Sequence, residues 1–139
     1  MRIAVDFDGT IVEHAYPAIG KEMLFAFQTL IELQKLGFQL ILWTYRTGKE
    51  LDEAVEFCKN KGVEFYAVNK NYPEEIFDPN TSRKIEADIF IDDRILGGFP
   101  GWIKVWELLN PGNKINSDNP FRVKKEKSLL SRIKAIFAK

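Results

Sequence analysis

Cysteine occurs once in the 139 residues, at Cys58, so no internal disulfide can staple the fold and a reducing compartment such as the cytoplasm is expected. No apolar stretch approaches the ~20 residues of a membrane span. The N-terminal residues predict no secretory leader, because Arg2 leads within a few residues to Asp6. Histidine also occurs once, at His14, which excludes a multi-histidine metal site. Net charge is zero, so no overall electrostatic pull toward nucleic acid exists. What remains is an ordinary globular composition, 45% apolar and 29% charged, in a length that suits one domain.

The zero balance hides an asymmetry. Residues 1–120 carry 13 Lys and Arg against 19 Asp and Glu, a net −6, and residues 121–139 carry 7 against 1, a net +6. The acidic body argues against a broad nucleic-acid surface, and the basic end requires its own account.

Strand and helix patterns alternate along the body. Arg2-Ile3-Ala4-Val5 reads as a short buried strand running into Asp6-Phe7-Asp8-Gly9-Thr10. Helical periodicity is predicted over 21–36, with Leu24, Phe27, Leu30, Ile31 and Leu33 on one face and Gly37 at the end. A second strand is predicted over 38–43, a helix over 48–61, a third strand over 63–68 and a fourth over 89–91 that runs into Asp92-Asp93. Residues 69–83 read as a polar loop, and 102–109 fits either a strand with a helical turn or a short helix. Such alternation predicts an α/β fold: a Rossmann-like, doubly wound parallel sheet in three α/β/α layers over residues 1–112. Residues 113–139 are expected to form a linker and a basic amphipathic helix.

Parallel strands bring their C-terminal ends to one edge, where such folds bind ligands. Asp6, Asp8, Thr44, Asn69, Lys70, Asp92 and Asp93 all fall at that edge, and Lys84 sits a short step before the fourth strand. Carboxylate oxygens suit a hard cation, and a cation with a lysine can neutralise phosphate oxygens. One carboxylate can then attack phosphorus while another moves a proton. Lys70 is a rival for the lysine position; Lys84 is preferred for its place before the acidic strand. Cys58 falls on the inner face of a helix and reads as core, and Glu64 stands six residues on, where a cysteine phosphatase would carry Arg.

The series Asp6-Phe7-Asp8-Gly9-Thr10, Thr44 after an apolar strand, Lys84, and Ile91-Asp92-Asp93 resembles the haloacid dehalogenase (HAD) superfamily of phosphohydrolases, with the four family motifs in order over residues 2–93. The resemblance implies a phosphatase in which Asp6 is the nucleophile and Asp8 the general acid/base. Mg²⁺ would be held by Asp6, the Asp8 backbone carbonyl, Asp92 and Asp93. Thr44 would bind the phosphoryl group and Lys84 would steady Asp6. Gly9, Thr10, His14, Tyr45, Arg46 and Arg94 are the candidate substrate-binding residues, with Glu13 and Tyr16 nearby. Family members usually carry a cap domain. Here about ten residues separate Thr10 from the first helix and about fifteen separate Val68 from Lys84, so neither gap holds one. An open site is the expectation, compatible with a macromolecular phosphorylated substrate or with closure by another subunit.

Two other readings stay open. One is a catalytically silent member acting as a binding module or scaffold. The other is a phospho-signalling receiver, which the run Asn69-Lys70-Asn71 disfavours, since a receiver's acceptor aspartate follows the third strand. In the basic end, Leu129, Leu130, Ile133, Ile136 and Phe137 fall on one helical face. Docking on an acidic body (its own or a partner's), self-association, contact with anionic membrane and disorder are all compatible with that pattern.

Overall fold

A computed structural model of the chain describes residues 1–111. Four strands form one parallel sheet: β1 (Arg2–Val5), β2 (Gln39–Leu42), β3 (Ala67–Val68) and β4 (Ile89–Ile91), in the order β3-β2-β1-β4. Three helices accompany them: α1 (Ala26–Lys35), α2 (Gly48–Asn60) and α3 (Trp102–Leu109). Register aligns Val5 with Leu42 on one side and with Ile91 on the other. The residues that follow β1 and β4, Asp6 and Asp92, therefore leave the sheet side by side.

Alternation along the strands divides the core. Ile3, Val5, Leu40 and Leu42 join Leu30 and Leu33 of α1, Ala54 and Cys58 of α2, and Trp102, Val105 and Trp106 of α3 in one large cluster. The opposite face holds a smaller group, Ala4, Ile41, Ala67 and Ile85. All three described helices thus contribute to one face, and the expected third layer is absent among the described residues. The cause is topological. The steps β1→β2 and β2→β3 run in the same direction, so right-handed crossovers deliver α1 and α2 to the same side. The return from β3 to β4 contains no helix, and it covers the other face through Ile85 and small side chains.

Helix α1 begins later than its periodicity predicts. Met23 donates its amide to the Ile11 carbonyl and Glu22 bridges to Val12, which pins the chain to the loop after β1. Phe25 then takes a left-handed φ of 64°, a conformation that cannot continue a helix. Leu24, expected on the inner face, is consequently 77% exposed. Strand β3 is also shorter than predicted, because pairing with β2 is confined to Ala67 and Val68. The ambiguous stretch 102–109 is helical, and its first residue is anchored by the Trp102 indole N–H donating to the Thr10 carbonyl at 2.8 Å. No helix among the described residues is long and apolar enough to cross a membrane. The predicted amphipathic segment 113–139 lies outside the described residues.

Candidate functional site

The carboxylates of Asp6, Asp92 and Asp93 converge at the C-terminal ends of β1 and β4, with one oxygen from each within 4.8 Å of the others. Each has a local restraint. The Asp6 amide donates to the Ile91 carbonyl at 2.9 Å, which continues the β1–β4 pairing one residue beyond the strand. Thr10 donates its hydroxyl to Asp6 Oδ2 at 3.3 Å. The Arg94 amide donates to Asp92 Oδ1 at 2.7 Å. His14 Nε2 lies 2.7 Å from Asp93 Oδ2 and donates to it in the tautomer protonated there.

Three carboxylates this close are electrostatically costly. Burial pushes the Asp6 carboxyl up from 3.8 to about 6, and Asp92 and Asp93 push it the same way. The Phe7 amide and the Thr10 hydroxyl act in the opposite direction, favouring the anion. The donor set consists of hard oxygen ligands, which fit a hard divalent cation, and a cation there would remove the repulsion among them.

Asp8 faces elsewhere. Arg46 grips it with one edge of the guanidinium: Nε donates to Asp8 Oδ2 and Nη2 to Asp8 Oδ1, each at 2.7 Å. Arg46 also donates to the Pro17 carbonyl at 3.0 Å and the Ala18 carbonyl at 2.7 Å. Its guanidinium carbon lies 4.9 Å from the centre of the Phe7 ring and 5.3 Å from that of Tyr16. The Arg46 side chain is only 1% exposed. The hydrogen bonds to Asp8 hold its pKa above the ordinary arginine value. Arg46 is therefore a built-in partner of Asp8, not a free grip for a substrate anion as its exposed-looking loop position suggested.

Other predicted site residues also change place. Thr44 stays at the sheet edge, where its amide donates to Asn69 Oδ1 at 2.8 Å and its hydroxyl oxygen accepts from the Arg46 amide at 3.3 Å. Its own O–H remains able to donate. Thr10 is fully buried and serves Asp6 rather than a substrate. Gly9 has φ +90°, and its amide donates to the Val12 carbonyl at 2.6 Å, so it shapes the turn instead of offering an N–H. A Cβ at Gly9 would meet His14 Nε2 at 2.3 Å and Asp93 Oδ2 at 2.5 Å, so only glycine permits the His14–Asp93 pair.

Lys84 does not reach Asp6. Its ammonium lies 6.0 Å from the centre of the Phe90 ring and makes no ion pair with the carboxylate cluster. The reason is register. Phe90 lies opposite Ala4 and shares its face, so the segment leading into β4 carries Lys84 over that face rather than to the C-terminal edge. The rival Lys70 is turned away as well, donating to the Pro73 carbonyl. Tyr45 is wholly exposed beside Thr44, and the Arg94 side chain is exposed next to Asp92 and Asp93. Burial pushes the Cys58 thiol up to about 12, in keeping with core packing.

Asn69 is the residue that sequence patterns undervalue. Besides holding the Thr44 amide, it donates from Nδ2 to the Arg46 carbonyl at 3.4 Å, and it adopts a left-handed φ of 51° that Asn tolerates better than most residues. Its place after the third strand was the available signal.

Neither a family model nor a curated protein matches the chain. Among solved structures, a conserved protein from Bacteroides thetaiotaomicron is 54% identical, with a TM-score of 0.76 over 82% of this chain and 93% of that one. At that identity and coverage, the chain belongs to the same family as this conserved Bacteroides thetaiotaomicron protein.

Proposed function

We propose that the protein is a Mg²⁺-dependent phosphomonoester hydrolase that works through an aspartyl-phosphate on Asp6, a capless member of the HAD superfamily. The observation that carries this reading is the convergence of Asp6, Asp92 and Asp93 at the C-terminal edge of two neighbouring parallel strands.

Asp6, Asp92 and Asp93 would hold the cation, whose charge would keep Asp6 ionised and offset the oxygens of a phosphate. Asp6 then attacks phosphorus, and the leaving alkoxide needs a proton. Asp8, two residues on, is the acid that supplies it and the base that later activates water. Thr44, with an O–H free to donate, orients a phosphate oxygen. Arg46 engages each Asp8 oxygen once, which leaves a second lone pair on each oxygen to carry the transferred proton. Arg94 and Tyr45, both exposed at the edge, are the side chains able to meet the rest of a substrate.

Two observations favour a second reading, a phosphate-binding module without turnover. Asp8 is held by Arg46, and among the described residues no ammonium pairs with Asp6. One experiment separates the readings. The full chain is screened with Mg²⁺ against phosphopeptides, sugar phosphates, nucleotides and end-phosphorylated oligonucleotides, with Asp6→Asn as the blank. Hydrolysis that Asp6→Asn abolishes supports the phosphatase. Absence of hydrolysis, with saturable phosphate binding, supports the module.

A further inference from the structure

The described fold leaves an apolar groove open at one edge of the sheet. Strand β4 is an edge strand, paired with β1 and with no strand on its other side among the described residues. Between that edge and α3 lies a groove of about 380 Å³, lined by Ile89, Ile91, Ile95, Phe99, Val105 and Leu108 with Asp92 as its charged group. Leu108 is 64% exposed and Ile95 44%. An uncovered edge strand beside exposed apolar side chains invites pairing with another chain unless something covers it.

We infer that the groove is the docking site for residues 129–137 of the same chain. Position is the first reason. Leu109 lines the groove and the described residues end at Pro111, so residues 112–139 set out from the groove's own border. Reach is not limiting, since residues 112–128 span up to ~55 Å when extended. Pattern is the second reason. Leu129, Leu130, Ile133, Ile136 and Phe137 recur at the spacing of one helical face, an apolar complement to an apolar groove. A helix of about this length is marginal alone in water and depends on a surface to pack against. Charge is the third. The basic residues of 121–139 meet an acidic body, and the groove's charged side chain is Asp92. Tethering favours this occupant over a second copy, because a linked segment is present at an effective concentration on the order of millimolar. Asp92 belongs to both the groove and the carboxylate cluster, so the docked segment borders the candidate site.

The test is cross-linking in the full chain. Leu108→Cys is combined with Ile133→Cys, Cys58 being buried, and the dilute protein is mildly oxidised. Glu53→Cys on α2, outside the groove, replaces Leu108→Cys in the control pair. The expected result is a disulfide within one chain, mapped by peptide mass, forming about tenfold or more faster than in the control. Adding Leu130→Asp and Phe137→Asp brings the rate down to the control value. Equal rates for the two pairs, disulfides between chains, or no disulfide would each overturn the inference. Far-UV circular dichroism confirms that each variant is folded before its rate is read.

Discussion

Replacing Arg46 is expected to destabilise the fold by about 3 kcal/mol, because its side chain stitches three separate segments. It donates two bonds to Asp8 after β1 and one each to the carbonyls of Pro17 and Ala18, from its own position after β2. Arg46→Ala removes all four and leaves a carboxylate that is only 17% exposed without its counter-charge. Breaking one side of a buried ion pair costs roughly 3–5 kcal/mol, and the partial solvent contact of Asp8 places this pair near the lower end. A loss of that size is a large fraction of the ~5–15 kcal/mol that holds a domain together. Urea unfolding of the wild type, Arg46→Ala, Asp8→Ala and the double variant forms a cycle that isolates the pair itself. The coupling is expected at about 2 kcal/mol. Raising NaCl to 0.5 M would change it little, since the guanidinium is shielded from solvent ions. Unfolding slopes should stay constant, showing that only stability has changed. A cost below ~1 kcal/mol for Arg46→Ala, or a coupling below ~0.5 kcal/mol, would refute the clamp.

Metal-free protein should lose stability as pH rises from about 4 to about 6. Asp6 titrates near 3.8 when unfolded and near 6 when folded, so between these values the folded state holds the extra proton. The gap corresponds to roughly 3 kcal/mol at most, which solvent contact at this half-buried carboxyl reduces to about 1–2 kcal/mol. Thermal unfolding across that range should show the slope, Asp6→Asn should flatten it, and an unchanged slope in the variant would assign it to another group. Under the proposed hydrolase reading, Asp8→Ala should retain Mg²⁺ binding by calorimetry while losing about 10²–10⁴-fold in turnover, and near-wild-type turnover would remove Asp8 from proton transfer. Gly9→Ala should cost at least ~1–2 kcal/mol from its positive φ alone. It should also displace the His14 ring, seen as a shift of the imidazole resonances, and a silent spectrum would contradict the close approach.

Much of the edge was legible because it follows from strand ends. Asp6, Thr44, Asn69 and Asp92 each come directly after an apolar run, with Asp93 one residue on, and parallel pairing gathers such positions without any knowledge of side-chain packing. The start of α1 was hidden because its periodic pattern extends into 21–25, where pairing with Ile11 and Val12 competes and wins. That the described helices all pack on one face follows from strand order, which no local window contains.

By itself, the sequence determined the alternation of elements, the apolar faces and the set of polar residues delivered to the C-terminal edge, since all of these depend on near-neighbour periodicity. Only the tertiary structure decided which of those residues meet. Asp8 pairs with a residue 38 positions away, Asp93 with one 79 away, and Lys84 turns to Phe90 instead of Asp6. Partner choice at such separations depends on strand order, register and on which side of the sheet a connection crosses. That is why Arg46, read from its loop position as a hand for a substrate, is in the folded chain the clamp on Asp8.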